Sequence, residues 1–385
     1  MKEISKTVEA LKPSGIRRFF DLANTMEGVI SLGVGEPDFS TPWHVCEEAI
    51  QSMADGRTHY TANKGLLELR EEIAKFHSEH YNQNYDPKTE ILLTVGGSEA
   101  IDLSMRALLN PGDEVIVMDP NYVAYEPAIR LAGGVCVPIV LTRENEFKLK
   151  ADDLKKAITD KTKAMIINYP SNPTGGVMTE ADYREIVPII QESEIYVVSD
   201  EIYAELSFDQ AFASLSQFEE VRDQILVING FSKAYAMTGW RLGYILANPT
   251  ITKALTKIHQ YVIMSASTPA QYAAIEALRN GYDDVILMRE EYLNRRNLLV
   301  NSLNRMGLNT PMPHGTFYVF ADIRPYGLSS EEFCNELLNQ EKVACVPGDA
   351  FGPHGQGFIR ISYAYSLNHI KEACVRIEHF LQQFK

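Results

Sequence analysis

The chain has 385 residues and no surplus of positive charge: 36 Lys and Arg stand against 51 Asp and Glu, a net charge of −15. Nucleic acid or an anionic membrane would demand clustered cations for its phosphates, so neither is an expected partner. Cysteine is sparse. Cys46, Cys136, Cys334, Cys345 and Cys374 are scattered, odd in number and form no CxxC pair, which argues against a disulfide framework and against a zinc site. No apolar run approaches the ~18 residues that a membrane span requires. The opening residues Met1-Lys2-Glu3-Ile4-Ser5-Lys6 lack the apolar stretch of a signal peptide. A reducing, cytoplasmic setting is the expectation that fits. Internal repeats and low-complexity tracts are missing, as are a GxGxxG turn and a P-loop lysine, which disfavours dinucleotide and nucleoside-triphosphate binding.

What is present is ordinary globular material, 45% hydrophobic and 23% charged, on a chain longer than one core usually serves. Two domains are therefore expected. Apolar runs over 91–95, 114–118, 135–140, 164–168, 195–199, 225–229 and 242–247 read as strands, with helical patterns between most of them. Several are apolar throughout rather than alternating, the mark of a sheet covered on both faces. The expected fold class is α/β. A large domain, residues 45–275, would hold a mostly parallel seven-stranded sheet flanked by helices, and residues 1–44 and 276–385 would form a smaller α+β domain. Residues 1 to about 30 read as a short helix and linker, 42–54 and 66–80 as helices, and 271–305 as one long helical pattern. Strands over 317–321 and 357–363, a helix over 329–338, the run 343–347 and a last helix ending at Phe380 complete the smaller domain.

Such sheets bind ligands beyond the carboxyl ends of their strands. There, Gly230-Phe231-Ser232-Lys233-Ala234-Tyr235-Ala236-Met237-Thr238-Gly239-Trp240-Arg241 holds one lysine in a small-residue loop between two strands. Rigid and partly desolvated, Lys233 would keep a neutral amine able to attack a carbonyl; an exposed turn lysine is the ordinary alternative. Ser232 and Arg241 would bind an anion beside it, most simply a phosphate. Gly96-Gly97-Ser98-Glu99 joins a strand to a helix, where free N–H groups and the dipole suit a phosphate, unless Ser98 or Glu99 only caps the helix. Tyr122 starts the next helix and would either stack on a flat ring or pack in the core. Asn172 lies in the rigid loop Asn168-Tyr169-Pro170-Ser171-Asn172-Pro173-Thr174-Gly175-Gly176, which would aim its amide. Asp200 ends an apolar strand. Buried, it needs a cation, which a protonated pyridine nitrogen would supply; a salt bridge or a helix cap would also serve. Tyr203, three residues on, would reach a phenolic oxygen of the same ring. Arg360 shares one face of a late strand with Phe358 and Ser362. Its guanidinium would bind a carboxylate bidentately, from a substrate or from a neighbouring Asp or Glu.

In order and spacing, Gly33-Val34-Gly35-Glu36-Pro37-Asp38-Phe39, Tyr60-Thr61, Gly96-Gly97-Ser98-Glu99-Ala100, Pro111-Gly112-Asp113, Asn172-Pro173-Thr174-Gly175, Asp200-Glu201-Ile202-Tyr203, Ser232-Lys233, Gly239-Trp240-Arg241 and Arg360-Ile361-Ser362 resemble the class I pyridoxal-phosphate-dependent aminotransferases of fold type I, over nearly the whole chain. The resemblance implies pyridoxal 5′-phosphate as cofactor and Lys233 as Schiff-base lysine and proton shuttle. Asp200 would face the pyridinium nitrogen, Tyr203 and Asn172 the ring phenolate oxygen, and Tyr122 the ring itself. Gly97, Ser98, Ser232 and Arg241 would form the phosphate cup, joined by the backbone N–H of Glu99. Tyr60 would reach the phosphate of a neighbouring subunit, which implies a homodimer. Arg360 and Asn172 would clamp the substrate α-carboxylate, close to the backbone of Gly35.

The implied reaction moves an amino group from an L-amino acid to a 2-oxo acid, with 2-oxoglutarate as acceptor, in ping-pong order. The donor would be aspartate, an aromatic amino acid or an N-acetyl-diaminopimelate-like compound. Lys64, in the loop beyond Tyr60, would either meet a distal substrate carboxylate or be a solvated surface lysine. A carbon–sulfur β-lyase is the alternative on the same cofactor. No metal is implied.

Overall fold

The structure is a computed structural model that describes residues 2–11 and 26–384. Part of the expected N-terminal helix and linker lies outside the described residues; the described part contains the helix Lys6–Ala10. Strands are numbered β1 (Ile30–Ser31), β2 (Ile91–Thr94), β3 (Glu114–Asp119), β4 (Val135–Val140), β5 (Thr162–Asn168), β6 (Tyr196–Asp200), β7 (Ile225–Gly230), β8 (Gly243–Leu246), β9 (Tyr318–Asp322), β10 (Val343–Ala344), β11 (Val346–Pro347) and β12 (Phe358–Ser362).

Seven of them form one sheet in the order β2-β8-β7-β6-β5-β3-β4. Every pairing is parallel except those of β8, which runs against both of its neighbours. All residues of β2 and β7 are buried, because helices cover both faces. Leu226 and Ile228 pack with Ala100, Leu103 and Leu255 on one side, and Ile225 and Val227 pack with Ile186, Ile190 and Ala273 on the other. Each large aliphatic side chain so enclosed contributes about 1.5–3 kcal/mol of burial. The β/α alternation read from the sequence is thus present, and the fold is α/β.

A second layer of structure joins β11, β12 and β9 in an antiparallel sheet and pairs β1 with β10. Its own core contains Tyr292, Leu299, Phe333, Leu337, Ile370 and Phe380. The segment after β1 threads between the two small sheets: Leu32 donates to the Ala344 carbonyl, and Ser362 donates to the Leu32 carbonyl, each at 2.7 Å. This fixes Gly33 and Gly35 beside Arg360 of β12.

Four details depart from the sequence reading. The pattern over 271–305 is two helices, Thr268–Asn280 and Tyr282–Arg305, divided at Gly281. A Cβ at Gly281 would lie 2.7 Å from the Ala277 carbonyl oxygen, and Asp283 and Asp284 open the second helix, where carboxylates complement the dipole. The run 343–347 divides at Cys345 into β10 and β11, which serve different sheets. A helix at Pro249–Val262, capped by the Asn248 side chain, was not foreseen. Tyr122 precedes its helix rather than starting it. The chain is still turning there, with the Asn121 N–H bound to the Phe351 carbonyl at 2.8 Å, and the helix begins at Tyr125.

Candidate active site

A cavity of about 680 Å³ opens at the carboxyl ends of the parallel strands, where the large sheet faces β9 and β12. The floor is set by strand register. Asn168 and Asp200 are partners at the ends of β5 and β6. The Asn168 amide donates to the Asp200 carbonyl at 2.8 Å, while its oxygen accepts from the Asn172 N–H at 2.9 Å. One side chain therefore pins the irregular loop to the sheet. The Asp200 carboxylate accepts from the Tyr125 hydroxyl at 2.7 Å and from the Ile202 N–H at 3.2 Å. Burial nevertheless holds its pKa above the ordinary carboxylate value, against these donors and the pull of Lys233. No cation lies within ion-pair distance of it among the described residues, so a ligand cation would stabilise its charged form.

Lys233 follows β7. Its amine is enclosed, although the residue as a whole is only partly buried, and Nζ donates to the Gly35 carbonyl at 2.5 Å. Desolvation lowers its pKa to about 8; Glu36 opposes the shift and Arg360 and Arg241 add to it. A nucleophilic amine is thus within reach of neutral pH. Arg360 enters from β12, buried. Nη1 donates to Asn172 Oδ1 at 2.9 Å and Nη2 to the Gly33 carbonyl at 2.6 Å. Its guanidinium lies over the Tyr318 and Phe351 rings, 4.2 and 4.7 Å from their centroids. Its Nε has no partner, and no Asp or Glu pairs with it among the described residues. The structure therefore removes one of the two readings of Arg360, the neighbouring acidic residue. A buried guanidinium held by neutral oxygens suits an incoming carboxylate.

The outer end of the cavity is the first turn of the helix Gly96–Leu108, together with Ser232 and Arg241. Gly97 and Ser98 line it. Arg241 donates to the Thr238 carbonyl at 3.0 Å and has no carboxylate partner among the described residues. Gly96 has φ +74, and a Cβ on it would come within 2.6 Å of Arg241 Nη2, so glycine lets the guanidinium lie against the turn. Free N–H groups, a hydroxyl and a guanidinium in one place suit a phosphate. Tyr122 lines the wall between, and the Tyr203 hydroxyl meets the Tyr318 hydroxyl at 2.9 Å.

Of the expected site residues, the fold brings together Gly35, Gly97, Ser98, Tyr122, Asn172, Asp200, Tyr203, Ser232, Lys233, Arg241 and Arg360. Glu99 does not line the cavity. Its carboxylate is turned toward Val95 and His259. Tyr60 lies outside it and is 81% exposed. Lys64 also lies outside, with Nζ donating to the Lys88 carbonyl at 3.0 Å. The sequence reading missed Tyr125 and Tyr318, and did not single out Asn168. Tyr125 carried a signal, three residues after Tyr122; Asn168 heads the Pro/Gly loop; Tyr318 had none. Among the described residues no acidic, His or Cys cluster suits a metal, and no helix is long and apolar enough to cross a membrane.

Comparison with known proteins agrees with this chemistry. The family described as aminotransferase class I and II matches residues 27–377. Aromatic-amino-acid aminotransferase 2 of Thermococcus litoralis is 43% identical over 99% of each chain. The aspartate aminotransferase of Pyrococcus abyssi is also 43% identical over 99% of each. The solved structure of Thermus thermophilus aspartate aminotransferase with maleate superimposes with a TM-score of 0.94 at 36% identity, covering 98% of this chain and 100% of that one. These likenesses do not favour the β-lyase alternative.

Proposed function

We propose residue roles and a substrate class for this chain, which belongs to the class I and II aminotransferases and carries out pyridoxal-phosphate-dependent transamination between amino and 2-oxo acids. The observation that carries the reading is the placement of three groups around one cavity: an amine lowered toward neutrality, a buried carboxylate short of a counter-charge, and a buried guanidinium without a carboxylate. The donor set fits pyridoxal phosphate, whose anionic and cationic ends match the two ends of the cavity.

When bound, pyridoxal phosphate supplies an electron sink for the charge left by the departing Cα proton and a carbon that carries the amino group between substrates. Gly97, Ser98, Ser232 and Arg241 would hold its phosphate, Tyr122 would cover a ring face, and Asp200 would keep the ring nitrogen protonated. Asn172 already accepts from Arg360 through Oδ1, which leaves its amide N–H, with the Tyr203 hydroxyl, to donate to the ring oxygen. Lys233 would hold the cofactor through Nζ, and with Nζ free it would be the base that takes the Cα proton and returns it. Arg360 binds the α-carboxylate, and Gly35 lines the substrate side. The Glu99 carboxylate takes no direct part.

The donor is aspartate, an aromatic amino acid or an N-acetyl-diaminopimelate-like compound, and the acceptor 2-oxoglutarate. Residues 45–275 act as the cofactor domain and residues 1–44 with 276–385 as the smaller one. The enzyme works in the cytoplasm as a homodimer. Supporting the dimer, the large side chains of Trp43, Tyr60, Tyr261 and Val262 are 57–87% exposed; Tyr60 would reach the neighbouring subunit's phosphate site. Borohydride treatment of protein loaded with pyridoxal phosphate should fix the label on Lys233, and a label elsewhere would overturn the assignment. A panel of amino donors with 2-oxoglutarate, scored by glutamate formed, identifies the substrate. Pyruvate released from cystathionine without added 2-oxo acid would instead support elimination.

A further inference from the structure

Behind the outer end of the cavity, Glu99 and His259 form a buried pair. Glu99 stands in the first turn of the helix Gly96–Leu108, yet its carboxylate points back. One oxygen accepts from the Val95 N–H, and the other lies 2.7 Å from His259 Nδ1. His259 belongs to the helix Pro249–Val262 and is fully buried, and its Nε2 has no partner among the described residues. An α-helix opens with four N–H groups that its own carbonyls cannot satisfy. Here Glu99 takes that of Val95, so those of Gly96, Gly97 and Ser98 remain, and the last two residues line the cavity.

A carboxylate at a helix start competes with any other anion for these donors, because the same N–H groups and dipole attract both. Glu99 is the anion nearest in sequence. Held on Val95 it leaves the neighbouring N–H groups open; released, it can rotate onto them and repel a second anion as well. We infer that His259 is a positioning residue for the cofactor phosphate: by anchoring Glu99 on Val95 it keeps the Gly97 and Ser98 N–H groups free. The inference rests on the assignment of this cavity to pyridoxal phosphate. It makes the consequence of losing His259 specific to phosphate, since pyridoxal meets the same lysine, carboxylate and ring contacts without that group.

The test is the affinity of the apo-protein for pyridoxal phosphate and for pyridoxal, read from the absorbance of the bound chromophore. His259→Ala is expected to weaken pyridoxal phosphate about ten-fold or more and pyridoxal less than about two-fold. His259→Gln keeps bulk but carries its amide beyond the Nδ1 position, and should behave alike if the alanine variant folds poorly. His259→Asn can restore an N–H where Nδ1 stands, and should return both affinities to near the wild-type values. Removing the competitor as well, in His259→Ala/Glu99→Ala, should recover most of the lost phosphate affinity. Equal weakening of both compounds, no change for pyridoxal phosphate, or a double variant as weak as the single one would each overturn the inference. Wild-type protein that binds neither compound would overturn the cavity assignment and the inference with it. Wild-type protein that binds both, with His259 variants unchanged, would sink the inference alone.

Discussion

The two walls of the cavity are built differently. The wall from the large sheet spreads its charges along a line: Asp200 deep and buried, Lys233 in the middle, Arg241 at the exposed rim. The wall from the small sheet offers a buried charge, Arg360, cushioned by aromatic rings and two neutral oxygens. A rigid molecule with a cation at one end and an anion at the other matches the first wall and would stay there. The second suits a small carboxylate that comes and goes. Among the hydrogen bonds that cross between the walls are Lys233 to the Gly35 carbonyl, Arg360 to Asn172, and Tyr203 with Tyr318. Each gives a candidate functional group a neutral partner, one that a charged substrate or cofactor can displace without leaving a buried charge bare.

The comparison breaks most visibly at Lys233. Lys233→Ala removes the amine of the first wall, and transamination should fall at least about 10⁴-fold, with borohydride fixing no label. Steady-state rates within ten-fold of wild type would place the chemistry elsewhere. On the second wall, Arg360→Lys keeps the charge but loses the planar fork. The kcat/KM for the amino donor should drop about 10²–10³-fold, in line with a broken buried carboxylate pair, while the Kd for pyridoxal phosphate moves less than about three-fold. A parallel loss of cofactor affinity would mean that the walls are not separable. A smaller, graded effect comes from pH. Burial lowers the Lys233 pKa to about 8 from 10.5, so the neutral amine grows as pH rises toward that value. The rate of cofactor uptake by apo-protein should rise about ten-fold per pH unit below it and level off above. An ordinary lysine would keep the rate climbing past pH 10.

The same contrast governs what could be read from sequence. The strands of the large sheet were legible because runs such as 91–93 in β2 and 225–228 in β7 are continuously apolar, as a doubly covered sheet requires. Lys233, Asp200 and Asn172 were legible because charged or amide groups sit where apolar strands end. The second wall was harder. Arg360 stood out on its strand, but whether its carboxylate came from the chain or from outside depended on what faced it across β9 and the segment at Gly33. Tyr125 holds Asp200 from 75 positions away, and His259 meets Glu99 across 160. Such pairs are products of packing, and no local spacing encodes them. For Glu99 the motif names the residue but not the direction of its side chain, which packing turns toward His259.

The smallest expected effect tests the bond that spans the walls. Tyr203 and Tyr318 are buried, and their hydroxyls are 2.9 Å apart. Tyr318→Phe leaves the Tyr203 hydroxyl without this partner. In the apo-protein that should cost about 1 kcal/mol of stability, the usual net worth of such a bond. With pyridoxal phosphate bound, Tyr203 is proposed to donate to the ring oxygen, so the loss should be smaller. Because the two states are linked, the cofactor should then bind Tyr318→Phe up to about five-fold more tightly than wild type, with kcat changed less than about three-fold. Denaturant unfolding with and without cofactor measures both arms. Equal destabilisation of the two states would mean that Tyr203 gains no partner on cofactor binding, and that its hydroxyl belongs to the small-sheet wall rather than to the cofactor.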